Sequence, residues 1–462
     1  MTNSHISQLV LNQRNFYRTG ESRNLQFRKA MLSRLKDALL KNDQLILSAL
    51  EEDLRKPPLE SYSSELGFVL AEINIALKNL KHWVKDKRVG GNLVIFPSKS
   101  YIISEPYGVA LIFGPWNFPF QLTLAPLVGA IAAGNCAILK PSGTSKASSA
   151  AIKRIIAESF DESYIAVVES AEGVNDMLLE QSFDKIFFTG SQAVGRIVME
   201  KAAKHLTSVT LELGGKTPCL VDRGIDLELT AKRIVWGKFY NAGQTCIAPD
   251  YILVQKDVKE DLLKAMIDCL ENFYGSDPKE SPDLSRIVSK DHFNTLKDYL
   301  TDGKIIAGGE CDESSLYIAP TILEVFNCDA PVMKEEIFGP ILPVIEFERF
   351  EEAEEVISLN PSPLAFYIFS NDQKMINELT RRIPFGGGTV NDIFSHMLNF
   401  NLPFGGRNSS GIGSYRGKKS FETFSHQKSL VTKGLGFDAG IKYPPYGDIH
   451  KLVRKVLPWI KL

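Results

Sequence analysis

Residues 109–139 read VALIFGPWNFPFQLTLAPLVGAIAAGNCAIL, and the fold class turns on them. Val109–Phe113 is an uncharged run too short for a helix, as expected of a strand buried on both faces. Leu122 to Leu139 is nearly free of charge and could be mistaken for a membrane span, but Pro126, Gly129, Gly134 and Asn135 interrupt it. The breaks fit a buried helix starting near Pro126, a Gly-Asn turn and a second apolar strand at Cys136–Leu139. Strand, helix and strand in this order make a parallel crossover.

The same alternation continues on both sides. Ile165–Val168 and Ile186–Thr189 extend the first block. A second block opens near Thr210 and includes Thr217–Val221, Tyr251–Val254, Ile341–Phe347 and Ala365–Phe369. Before residue 100 the period is helical: Leu32, Leu35 and Leu39, then Ile46, Leu47 and Leu50, a break at Pro57-Pro58, and an amphipathic run from Ser64 to Val84. A boundary falls near Glu212. From about residue 396 the chain is rich in Gly, Ser and basic residues, with a strand-like Ser429–Thr432, and reads as an arm.

At 462 residues the chain is too long for one ordinary domain. A formal net charge of −2, with Lys and Arg scattered, gives no case for nucleic acid, so a small molecule or a second copy is the expected partner. Met1-Thr2-Asn3-Ser4-His5 lacks the pattern of a signal peptide. None of the six cysteines has CxxC spacing, which argues against a zinc ribbon or disulfide framework; a cytoplasmic, reduced setting and no metal site are expected.

Five segments carry chemistry. In Phe188-Thr189-Gly190-Ser191-Gln192-Ala193-Val194-Gly195 a strand gives way to a helix whose first N–H groups could hold a pyrophosphate, although a plain strand–turn–helix reads equally well. In Leu211-Glu212-Leu213-Gly214-Gly215-Lys216 a carboxylate between leucines has a raised pKa suited to a general base, or else pairs with Lys216. Gly243-Gln244-Thr245-Cys246 sets one thiol in a small polar loop, as a nucleophile or as a small core residue. Asn117, between Pro115 and Pro119, is a stiff amide able to support an oxyanion, or an Asx turn among aromatics. Glu336 and Phe338 sit in a charged turn before a strand, where they could meet a ribose and a ring.

Together these segments resemble the aldehyde dehydrogenase superfamily. GPWNFPF, LKPS at Leu139–Ser142, FTGS, LELGGK, GQTC, EEIFGP and PFGG at Pro403–Gly406 follow in the family's order, and the resemblance runs from about residue 20 to 435. The short N-terminus, Ala248-Pro249-Asp250-Tyr251 and the stretch from Gly413 to His426 look like the class 3 branch of fatty and aromatic aldehyde dehydrogenases.

The resemblance implies an α/β chain of two Rossmann-like parallel-sheet domains with a small β oligomerisation arm. Residues 1–211 would bind NAD or NADP, with a β excursion near 97–108; 212–395 would be catalytic; 396–462 would form the arm of a homodimer. Cys246 would attack the aldehyde, Asn117 and the Cys246 N–H would hold the oxyanion, hydride would pass to the nicotinamide, and Glu212 would activate the hydrolytic water. The cofactor would lie on Lys140, Ser142, Gly143, Gly190, Ser191, Val194, Gly195, Leu213, Gly214, Glu336 and Phe338, and Trp116, Phe118 and Trp236 would line the substrate funnel.

Two departures stand out. NAD-preferring members usually carry Glu directly after LKPS, whereas Gly143 stands here, so NADP is expected to be accepted. The last residues, 451–462, are far too short to span a membrane; they read as a packed or frayed helix, or as an amphipathic contact to the substrate mouth or a membrane surface. The competing readings are a CoA-acylating enzyme, whose relatives generally lack the Glu of LELGGK, and an idle protein of the same fold, expected to have lost Cys246, Glu212 or Asn117.

Overall fold

The computed structural model describes residues 2–436 and 440–459. Val109–Phe113 and Cys136–Lys140 pair in parallel, flanked by Ile165–Val167 on one side and by Lys185–Gly190 and Ser208–Leu213 on the other. An antiparallel edge strand, Gly411–Ile412, completes this sheet of six. The second sheet has seven strands, in the order 304–307, 321–324, 341–347, 251–255, 218–221, 365–369 and 387–390. All its pairings are parallel except that of Lys304–Ala307 with Thr321–Glu324. The mixed α/β class expected from the sequence is what the chain forms.

The helix of the opening stretch runs Pro119–Ala133, and every one of its residues is buried. It starts earlier than the sequence suggested. Pro119 takes the first turn, where its missing N–H is no loss, and Pro126 lies inside. Tertiary burial on all sides overrides the local cost of that internal proline. Gly134, at φ +98, ends the helix, and Asn135 caps the turn by accepting from Gly108 N at 2.9 Å.

Ser98–Pro106 and Ser425–Lys433 pair antiparallel over nine residues beside Lys87–Val89. The outer strand, Ser425–Lys433, is exposed along almost its whole length. The residues just before it behave differently. Tyr415, Phe421 and Phe424 are buried, and Phe187 of the first sheet packs against Tyr415 and Phe424 at 5.1 and 5.9 Å. The terminal helix Ile449–Val456 forms but buries none of its residues, and positions 460–462 lie outside the described residues. Among the described residues no helix is long and apolar enough to cross a membrane.

Candidate active site

A cavity of about 940 Å³ is lined by the carboxyl ends of strands from the first sheet and by loops of the second. Cys246, Glu212 and Asn117 all border it, as do Gly190, Ser191, Leu213, Gly214, Glu336, Phe338, Trp116, Phe118 and Trp236. Strand ends that open on a crevice are where such sheets place their ligands.

Cys246 follows a short helical turn, Tyr240–Gly243, in which Asn241 and Ala242 take left-handed φ values of 52°. Gly243 allows the close approach this requires, since a Cβ there would lie 2.2 Å from the Gly339 carbonyl oxygen. The Asn117 side-chain amide donates to Gln244 O at 3.0 Å, which pins it two residues from the thiol and leaves its second N–H uncommitted. Gln244 is itself clamped: its Nε2 donates to the carbonyls of Asn241 and Arg286, and its Oε1 accepts from Val288 N, each at 3.0 Å.

Glu212 is the penultimate residue of its strand, with 3% of its surface exposed, and neither carboxylate oxygen has a partner. The pairing with Lys216 that the sequence left open does not form. Lys216 instead meets Asp250 at 2.6 Å and donates to the carbonyls of Val332 and Glu335. Burial therefore pushes the Glu212 carboxyl well above the usual range, with Arg416 pulling it back. Burial also pushes the Cys246 thiol up, the Glu336 and Glu212 carboxylates push it further, and Arg416 opposes them.

The cofactor residues fall into two groups. Glu336 lies against Gly214, where a Cβ would sit 1.7 Å from its Oε2; its buried Oε1 has no partner, as an acceptor for ribose hydroxyls would. Burial raises its carboxyl to about 8, with Asp250 adding and Lys216 and Lys238 opposing. Ser191 caps the helix Gln192–Ala203, accepting from Val194 N, and a Cβ on Gly195 would meet Leu213 Cδ2 at 2.7 Å, so that helix seats close on the strand of Glu212. Bare glycine backbone beside a capped helix start suits a pyrophosphate. Lys140, Ser142 and Gly143 lie apart, at the end of the strand Cys136–Lys140, which two strands separate from that of Glu212. Lys140 Nζ donates to Ser170 Oγ, Ser142 Oγ accepts from Thr144 N, and a Cβ on Gly143 would lie 2.6 Å from Ser170 Cβ.

Of the three aromatic residues, Phe118 and Trp236 share Tyr240 as a neighbour, and Trp116 packs elsewhere. Trp116 packs edge-on against Phe338 at 5.3 Å. Phe118 carries the Lys56 ammonium 3.9 Å from its ring centre and stacks near Tyr240. Trp236 packs against Tyr240 and Phe394.

Sequence reading missed the supports. Lys56 and Glu65 form a fully buried ion pair at 2.7 Å. Glu65 accepts from the N–H groups of Phe120 and Gln121, and Lys56 donates to Asn117 O, so the pair holds the Asn117 loop at the start of its helix. Glu60, raised to about 7 by burial, accepts from Asn241 N at 3.0 Å. Arg416 is 2% exposed and borders the cavity. Nothing in the local sequence marks these residues, because contacts distant along the chain bury them. Among the described residues there is no group of three or more His, Cys, Asp or Glu that could hold a metal ion.

Residues 2–430 match the aldehyde dehydrogenase family. The chain belongs to that family. It is 45% identical to aldehyde dehydrogenase family 3 member B1 of Rattus norvegicus, over 94% of this chain and 93% of that one. It is 44% identical to the dimeric NADP-preferring aldehyde dehydrogenase of the same species, over 96% of this chain and 98% of that one. Among solved structures it superposes on a substrate-bound aldehyde dehydrogenase of Staphylococcus aureus with a TM-score of 0.96 at 44% identity, covering 98% of this chain and 99% of that one. The expectation of an NAD(P)-dependent aldehyde dehydrogenase resembling the class 3 branch is met.

Proposed function

We propose that this aldehyde dehydrogenase oxidises medium or long aliphatic, or aromatic, aldehydes to carboxylic acids through a covalent adduct on Cys246. The observation that carries the reading is the meeting, in one cavity, of a thiol, a buried carboxylate without a partner and a pinned amide. The thiol needs a proton acceptor, because burial and two carboxylates hold it protonated. Solvent at the cavity mouth supplies one, and Glu212 stays ionised for the water step. The Cys246 sulfur then attacks the carbonyl carbon, and the free Asn117 N–H and the Cys246 N–H hold the oxygen as it gains charge. Bound NAD(P) would supply the acceptor for the hydride lost from the carbon of the Cys246 adduct, which thereby becomes a thioester. Glu212 then takes a proton from water, which hydrolyses the thioester and frees the acid.

Glu336, Gly190–Gly195 and Gly214 would hold the cofactor. Ser170 fills the space a larger residue at 143 would need, so no carboxylate stands there to repel a 2′-phosphate, and NADP serves alongside NAD. The cavity wall supports the substrate class: Phe68, Phe118, Trp236, Phe394 and Phe404 dominate it. All six cysteines are free, as a thiol enzyme of a reducing cytoplasm requires. The open strand Ser425–Lys433 supports a homodimer.

Formation of NADH or NADPH is measured with an aldehyde panel, with and without CoA. We expect turnover independent of CoA and lost in Cys246→Ser. Turnover that requires CoA overturns hydrolysis, and a preference for NAD of about a thousandfold in kcat/KM overturns NADP use.

A further inference from the structure

Arg416 is a buried cation for which the steps above have no use. Its guanidinium packs over Phe68 at 4.0 Å, Tyr415 at 4.6 Å and Phe404 at 5.2 Å. With the Gln121 amide turned to satisfy both of its ends, its carbonyl accepts from Arg416 Nη2 at 3.1 Å. Nε and Nη1 have no partner. The nearby Glu72 carboxylate is committed to Gly417 N at 3.0 Å. A guanidinium taken out of water without a contacting carboxylate is costly, even among ring faces that soften the cost.

Glu212 is the complementary orphan, a buried carboxylate without a hydrogen bond on the same cavity wall. Both side chains border one cavity. Phe187 and Thr189 share a strand; Thr189 pairs with Glu212, and Phe187 packs on Tyr415 at 5.1 Å, beside Arg416. Glu72, which also feels the Arg416 charge, Cys246, Tyr415 and Glu336 are the other titratable groups around them, and none of these brings positive charge.

We propose that Arg416 is the fixed counter-charge of Glu212, a positioning residue that keeps the carboxylate ionised for its work as base. The inference rests on the assignment of Glu212 made above. In a low-dielectric interior, buried charges interact without direct contact. The opposition of Arg416 to the burial of both Glu212 and Cys246 is that interaction.

The test is hydrolysis of p-nitrophenyl acetate without cofactor, followed over pH. The burst of nitrophenol reports acylation of Cys246, and the steady rate reports deacylation by Glu212. We expect Arg416→Gln to move the acid limb of the steady rate up by about one pH unit or more. Arg416→Lys should keep the wild-type limb. Arg416→Met replaces the Gln variant if that one does not fold. An unmoved limb in the neutral variant, or an equal shift in Arg416→Lys, overturns the role of Arg416. A wild-type burst that is absent, or that survives in Cys246→Ser, overturns the nucleophile and base assignment itself and the proposal with it.

Discussion

Replacing Asn117 by Ala removes one N–H from the developing oxyanion, and the expected cost is about 3–4 kcal/mol of barrier, read as a drop in kcat. The thermal midpoint checks that the loss is chemical, since Asn117 also receives Lys56 and Asn241 on its main-chain oxygen, which Ala retains. The pH dependence follows from the carboxyl of Glu212. A base works ionised, and burial raises this group, so the deacylation rate should fall as pH drops through a point well above the ordinary carboxylate range. An acid limb near pH 4 in a pH–rate profile would contradict this. Cys246, Glu212 and Asn117 could be proposed from sequence because their strings follow in one family's order, although each string alone left a second reading open; the structure brings all three to one cavity. Arg416, Lys56 and Glu65 could not be proposed so. A charged residue in a polar string looks like surface, and only contacts between distant parts of the chain decide otherwise.

At the scale of elements, strands of mainly apolar composition were read closely: Ile341–Phe347 and Ala365–Phe369 have the bounds their residues suggest. Lys304–Ala307 and Gly387–Val390 went unread, because each is an edge strand of only four residues, the second opening with two glycines, and carries little signal. The loop after Cys136–Lys140 bears on cofactor choice. Gly143→Glu alone would collide with Ser170, so it is paired with Ser170→Gly. The double variant should lose NADP use relative to NAD by about tenfold or more in kcat/KM, through repulsion between the new carboxylate and the 2′-phosphate. An unchanged ratio would place the 2′-phosphate elsewhere.

At the scale of the whole molecule, the edge Ser425–Lys433 leaves Leu430 and Val431 about half exposed, an arrangement that invites a second strand. Leu430→Lys combined with Val431→Lys should turn the proposed dimer into monomers by sedimentation equilibrium, while the buried packing of Tyr415 and Phe424 on Phe187 keeps each subunit folded. Covalent turnover at Cys246, completed by Glu212, is the claim on which the rest stands. Its most direct test is mass spectrometry of the Glu212→Gln enzyme quenched after exposure to NAD and an aliphatic aldehyde. We predict one acyl group held as a thioester on the peptide containing Cys246. Turnover at the wild-type rate without that adduct, or an adduct on another residue, would contradict the account.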